Sequence, residues 1–579
     1  MKKTLTKVLA LLMLATLLVG CFAGCNTSNE IETKPSLPPV LQKPVIDEEV
    51  TIEILTVRHA GTTTDAEDQW FFQYMEHWFK EQGYDVNINV TQTNDAKTQV
   101  GLLLSGNNLP DLIWGIELTR ENIMTYAIQE QMILDFAPYL NEVLMPNMVA
   151  RFDEMPEVKA SALAPDNGIY GLPYIKPGLA SSGCYGTSER LYFRQSWLDA
   201  CGVKNPTTQE EFLNVLRAFK TKCDSTPEND VPLVTTTDSF LEKYLWTCLG
   251  FYGREPSKYG NNIMLNDGKL VLPAYTEGYR DFITIMNTLY TEGLIAKDYL
   301  TVNSTSAGAD LKNNLCGAYC WWTLEHAGDQ FKDMVCANPI PMGSVESVED
   351  IHVSRLSYYA DNKIWASSAT KYPALIAMLV DFVYSDDGSF LYRYGPKEGE
   401  DPLKMVDGWY LDPDTKDVTT KLVKDKIYGS MSLYGRDILY PTDDAGVRPT
   451  VTTSGTGDLL EYTDSVTGKK YTVIDNLKMD PNTNDGHWRL TTIEKWSDRA
   501  TSIRIPGAYL SPDDTATVTD ITTAMNTYIT AESAKFITGK RPLSEIDDFF
   551  AQLKEMGVEQ YMEIMNEVYA DWVKEVHAK

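Results

Sequence analysis

Strand, helix and strand follow one another where the folded part of this chain begins, and that order restricts what it can build. Val50-Thr51-Ile52-Glu53-Ile54-Leu55-Thr56-Val57 alternates with the period of a strand, Trp70, Phe71, Tyr74, Trp78 and Phe79 recur at helical spacing before Gly83, and Val86-Asn87-Ile88-Asn89-Val90 alternates again. Parallel strands need a crossover, and a helix supplies it while covering the sheet, so this pattern predicts a βαβ unit. Leu109-Pro110-Asp111-Leu112-Ile113-Trp114 adds a third strand. In open α/β sheets ligands gather at the carboxyl edge. That makes Trp114, with Gly115 and Glu117 after it, a candidate for a binding site, together with His59, Thr62 and Asp65 in the loop 58–68.

About 530 residues follow Asp47, too many for one core, so two lobes or more are expected. Ahead of them stand Lys2, Lys3 and Lys7 and an apolar run over 8–19, too short for the roughly 20 residues that span a bilayer. A basic start, a short apolar stretch and small residues before a cut describe a secretory signal that is excised. Leu18-Val19-Gly20-Cys21 and Phe22-Ala23-Gly24-Cys25 both resemble the bacterial lipobox, whose cysteine receives a diacylglycerol. Leu18 favours Cys21, and the polar stretch 26–30 suits Cys25. Residues 1–25 are thus read as signal and lipobox. Residues 26–48, with Pro35, Pro38, Pro39 and Pro44, read as an extended, semi-rigid linker. The expected location is the extracellular face of the cell membrane, held by lipid alone.

The net charge is −30, and −33 once the three signal lysines are gone. Such a surface repels nucleic acid and anionic headgroups, so neither is an expected partner and a neutral ligand fits better. Nine scattered cysteines do not form a disulfide framework, and Cys316 and Cys320 lack the second pair or nearby histidine of a zinc site. No metal and no cofactor are expected. Further on, Thr207-Thr208-Gln209-Glu210-Glu211 caps a helix with Phe212, Val215, Leu216 and Phe219 on one face, and Ser544-Glu545-Ile546-Asp547 caps another with Phe549, Phe550 and Leu553. Between 412 and 520 the pattern blurs into short strands and turns.

Gly168-Ile169-Tyr170-Gly171-Leu172-Pro173-Tyr174, with Leu191-Tyr192-Phe193-Arg194-Gln195-Ser196-Trp197-Leu198-Asp199, Glu292-Gly293-Leu294-Ile295, Tyr384-Ser385-Asp386-Asp387-Gly388-Ser389 and the tail Phe536-Ile537-Thr538-Gly539-Lys540-Arg541-Pro542-Leu543, resembles the family 1 extracellular solute-binding proteins of ABC importers. The likeness is greatest to the long lipoproteins of Gram-positive bacteria. It implies a two-lobed α/β, periplasmic-binding-protein-like fold of type II, each lobe a mostly parallel sheet flanked by helices, with the ligand cleft between. Lobe 1 is expected over 49–165, with about 300–345 returning to it. Lobe 2 is expected over 166–299 with about 346–579, including an irregular insertion at 412–520 and the C-terminal helices. Crossings are expected near 161–174, 300–311 and 339–364. Long relatives carry a calcium loop where this chain has 221–230, which lacks the glycine and the oxygen spacing, so the metal is read as lost.

Members of this family mostly carry sugars. A sugar offers C–H faces to aromatic rings and hydroxyl edges to polar groups. Trp70, Trp78, Trp197 and Trp572 sit on apolar helical faces and read as core. Trp114, Tyr174 at the first crossing, Trp246 in the helix 239–249 and Trp365 are cleft candidates. In Cys320-Trp321-Trp322-Thr323 alternation sends one ring inward, so Trp322 is read toward the cleft and Trp321 toward the core. The function expected is capture of a carbohydrate, an oligosaccharide above all, by a lipid-anchored monomer that delivers it to ABC permease subunits without bond chemistry. The alternatives are a secreted glycoside hydrolase working with two carboxylates, and a surface sensory or adhesion receptor on the same fold.

Overall fold

The computed structural model describes residues 38–577 apart from 60, 176–189, 225–230, 238, 322, 355–358, 414–417, 429–430, 444, 447–451, 455–456, 464–469, 474–481, 483, 502 and 504. Cys21, Cys25, Trp322 and most of the loop read as having lost calcium fall outside the described residues.

Two large sheets take nine strands: β1 (Val50–Val57), β2 (Val86–Thr93), β3 (Leu112–Trp114), β4 (Leu172–Ile175), β5 (Arg190–Arg194), β6 (Val231–Val234), β7 (Cys316–Trp321), β8 (Met334–Cys336) and β9 (Tyr359–Ala366). The first sheet has the order β2-β1-β3-β9-β4, and the second β8-β5-β7-β6. β1 lies parallel to β2, pairing Val50 with Val86, and parallel to β3, pairing Ile54 with Leu112. Helix α1 (Trp70–Glu81) crosses over between β1 and β2 and buries Trp70, Phe71, Met75 and Phe79, so the βαβ unit forms as the periodicity predicts. Alternation sends Ile52, Ile54, Trp114 and Ile364 into the core on one face of this sheet and Leu55, Ile113 and Trp365 into the core on the other.

Both sheets are mostly parallel in strand direction, as expected, and each carries one reversed strand. β9 is antiparallel to β3 and β4, and β5 is antiparallel to β7 and β8, leaving β6 and β7 as the parallel pair of the second sheet. The reason lies in the crossings: β5 and β9 enter a lobe from the other lobe, so they run opposite to strands built by βα units within it.

The returning segment differs from expectation. Residues around 300–345 supply β7 and β8 to the second sheet, and Tyr299, Ala307 and Leu311 lie in the second core, so 300–311 is no crossing. The chain returns to the first lobe at β9 and stays there through Tyr434, Leu439, Tyr440 and Ala445. The region 412–520 is therefore divided between the lobes. Its early part packs on the first core. In the second lobe, helices α2 (Phe240–Cys248) and α3 (Glu277–Thr291) are joined by α4 (Asn484–Trp496), which brings Trp488 and Trp496 into that core. The C-terminal helices α5 (Pro512–Ile537), α6 (Ile546–Glu555) and α7 (Val558–Val568) add Met525, Ile529, Phe536, Phe549 and Tyr561.

The linker is not free along its whole length. The Val40 N–H donates to Pro138 O, Asn141 Nδ2 donates to Val40 O, and the Tyr84 hydroxyl donates to Pro44 O, at 2.9, 3.0 and 2.9 Å. These bonds hold it at the amino end of β1 beside a groove of about 520 Å³ lined by Val40, Val45, Ile46, Tyr139 and Tyr372. Among the described residues no helix is long and apolar enough to cross a membrane.

Candidate ligand cleft

The crossings decide which edges face the hinge. β4 is antiparallel to β9, as β3 is, so it ends on the same side as β3, at the carboxyl edge of the first sheet. The chain then enters β5 at Arg190, which pairs with Trp321 at the carboxyl end of β7. On the way back, β8 ends at Cys336 opposite Tyr192 near the start of β5, and β9 begins beyond the carboxyl end of β3. Both passages thus join carboxyl edge to carboxyl edge. The hinge brings together the ligand-binding edges of two α/β sheets.

On the first lobe, the loop after β1 is held by a segment almost 400 residues away. Asp437 accepts from the Thr63 and Thr64 N–H groups at 2.6 and 3.0 Å, from the Thr63 hydroxyl and from the Tyr428 hydroxyl at 2.7 Å. Burial pushes the Asp437 carboxyl up, but these bonds outweigh it and hold the group below the usual range. His59 Nε2 lies 3.1 Å from the Thr442 hydroxyl. Thr442 packs so closely on Gly115, at φ +76°, that a side chain there would overlap it. Glu117 forms a 3.4 Å ion pair with Lys363 of β9, and Asp65 pairs with Arg58 at 2.8 Å.

The second lobe's edge is aromatic. Trp321 ends β7 with Phe240 edge-on at 4.5 Å between centroids and the His326 ring at 5.3 Å. His326 Nδ1 in turn is 2.8 Å from the Tyr319 hydroxyl. The buried Arg190 guanidinium stands 4.7 Å from the Trp488 ring centroid. The polar atoms at this edge that are buried without a hydrogen-bond partner among the described residues include the Trp321 indole Nε1–H and the hydroxyl of Thr235, which follows β6. Buried polar groups normally find partners, so these at one edge are informative.

Three of the proposed platforms are core. Trp114 is fully buried between Phe71 and Phe72, its Nε1–H donating to the Tyr392 hydroxyl at 3.1 Å. Trp246 is fully buried and stacks on Phe282 at 4.3 Å. Trp365 is fully buried and donates to Ile116 O at 2.9 Å. In each case the ring sits on a strand or helix face that the lobe's own core covers. Tyr174 is likewise buried within β4. Trp321, read as core, is 7% exposed, consistent with that reading, yet its indole N–H has no hydrogen-bond partner among the described residues. The structure brings His59, Thr62, Asp65 and Glu117 to the first carboxyl edge, with the Thr62 N–H donating to His59 O at 3.2 Å. Sequence reasoning missed Lys363, Thr442, Asp437, Thr235, Phe240 and His326. The edge rule that singled out Glu117 points equally to Thr235, which follows a strand.

Over 574 residues, 97% of each chain, the protein is 24% identical to the fructooligosaccharide ABC transporter substrate-binding protein FusA of Streptococcus pneumoniae. The structure of FusA in complex with kestose superposes with a TM-score of 0.66 at 22% identity, covering 90% of this chain and 99% of that one. Over nearly its whole length the chain is thus similar to substrate-binding proteins of ABC transporters. The fold recurs in a human milk oligosaccharide-binding solute-binding protein of Bifidobacterium longum infantis, with a TM-score of 0.70 at 17% identity over 91% of this chain and 100% of that one. A shorter stretch, 162 residues, is 31% identical to the lipoprotein LipO of Bacillus subtilis and spans 25% of this chain and 30% of that one. No family model matches the chain. With these structures it shares the two-lobed, two-sheet architecture of type II.

Proposed function

We propose that the protein captures a carbohydrate outside the cell, an oligosaccharide above all, between the carboxyl edges of its two lobes and delivers it unaltered to ABC permease subunits. One observation carries this reading: kinship over the whole chain with a fructooligosaccharide-binding protein of an ABC transporter. The rings at the second edge and the hydrogen-bonding side chains at the first support it, since sugars use both kinds of group. Lobe 1 consists of 49–175 with the return at 359–446, and lobe 2 of 190–336 with α4 and the C-terminal helices. A ligand that touches both lobes favours the closed form by the difference in its affinity for the two forms. A lipid on Cys21 or Cys25 holds the monomer on the extracellular face of the membrane, in keeping with the lipoprotein relative.

The test is a thermal-shift and calorimetric screen of kestose, other fructooligosaccharides and unrelated oligosaccharides. A sugar at a hundred times its Kd stabilises the native state by about 2.7 kcal/mol and raises the melting temperature. The sugar is expected back intact. A panel in which no sugar shifts the melting temperature, or a sugar that returns shortened, overturns the proposal.

A further inference from the structure

The chain comes back to the hinge at Ala500 and Thr501 and again over residues 505–511. Ala500 and Thr501 pair in parallel with Val353 and Ser354 on the passage between β8 and β9, so this strap runs alongside that crossing. It is fastened to the second lobe: the Ile505 N–H donates to Gly253 O at 2.7 Å, and Pro506 O accepts from Arg254 Nη2 at 3.1 Å and from the Tyr569 hydroxyl at 2.7 Å. Ile505, Ala508 and Leu510 pack into the second core. Tyr509 turns the other way. Its ring packs on the first lobe's cluster of Ile113, Tyr170 and Trp365, and the Arg120 guanidinium stands 4.6 Å from its centroid.

Arg120 belongs to the first lobe, where its Nη2 donates to Ser161 O at 3.1 Å. It also lies over the strap at Gly507, where any Cβ would overlap it. One ring therefore reaches out of a strap anchored in one lobe and seats beneath a cation of the other. A half-buried cation–π pair is enough to shift a two-state equilibrium severalfold.

We propose that Tyr509 and Arg120 are positioning residues for capture, a hinge bearing that sets the angle between the lobes in the ligand-free protein. The proposal uses the carbohydrate reading for its second readout only. The experiment is small-angle scattering of the full mature chain without sugar, followed by titration with kestose. In Tyr509→Ala the ligand-free radius of gyration rises and its distribution broadens. Kestose then binds about fivefold more weakly, because apparent affinity scales with the fraction of molecules that can close. Tyr509→Phe keeps the ring and behaves as wild type. Arg120→Gln matches Tyr509→Ala, and the double variant is no worse than either alone, as coupled partners require.

Wild-type scattering from both Tyr509→Ala and Arg120→Gln, or effects of the two that simply add, overturns the proposal. Should Tyr509→Ala fail to fold, Arg120→Gln measured against Tyr509→Phe decides it. If kestose binds none of the proteins, the scattering still judges the bearing, and the ligand reading fails separately.

Discussion

The two carboxyl edges meet at the same hinge but are finished in opposite ways. At the first, polar groups are tied to neighbours before any ligand arrives: Asp437 gathers the loop after β1, His59 meets Thr442, and Glu117 meets Lys363. At the second, rings crowd together, and the Trp321 N–H and Thr235 hydroxyl are buried with no partner among the described residues. A buried hydrogen bond contributes about 1 kcal/mol net, whereas an orphaned group costs about 1–3 kcal/mol. The first edge is thus a preformed frame. The second holds buried hydrogen-bonding groups left unused among the described residues.

The hardest blow to that contrast is Asp437→Ala, which strips the acceptor from two backbone N–H groups and two hydroxyls at once. Unfolding in urea should show a loss of about 2–4 kcal/mol. A loss under about 0.5 kcal/mol would mean that the first edge is not a frame. The pH dependence adds a second readout. A carboxyl held low in the folded state gives stability that is present above its unfolded value, near 4, and is lost as the pH falls through the folded value. Wild type should lose stability on acidification below about pH 4, and Asp437→Asn should lack that part of the loss.

Next in size is Trp321→Phe, which keeps a ring and removes a donor that has no hydrogen-bond partner among the described residues. Kestose affinity is expected to fall about tenfold, the contribution of one hydrogen bond, while the sugar-free melting temperature moves by little. Equal affinity with a lowered melting temperature would make Trp321 a core residue and nothing more.

How much of this is legible in the sequence depends on the range of each interaction. Local periodicity carries the βαβ unit, the face of α1 and the capped helices, because each depends on residues within a few turns of one another. Trp114 and Trp365 show where the same logic fails. Both lie near the edge in sequence, but which face of a strand is open depends on what packs over it, and here Phe71, Phe72 and Tyr392 cover one ring and the first lobe's second cluster the other. The assignment of β7 and β8 turns on whether the chain has crossed the hinge, which no spacing records. Asp437 could not be connected with Thr63 by any pattern, since 374 positions separate them. Thr235 and Trp321 lay within reach, each at a strand's carboxyl end, but an orphaned donor is visible only once its surroundings are assembled.

Thr235→Val is the smallest and most discriminating change, because the two side chains have nearly the same shape and differ by a hydroxyl that has no partner among the described residues, on a residue only 2% exposed. Removing a polar group that has paid its desolvation cost without return should raise the sugar-free stability, by up to about 1 kcal/mol. If that hydroxyl serves the ligand, kestose binding weakens severalfold in the same variant, so stability and affinity move in opposite directions. If both stay at wild-type values, Thr235 is indifferent packing and the second edge rests on Trp321 alone. A fall in stability would mean that the hydroxyl is satisfied in solution, and the contrast between a finished and an unfinished edge would then narrow to a difference between charged and aromatic side chains.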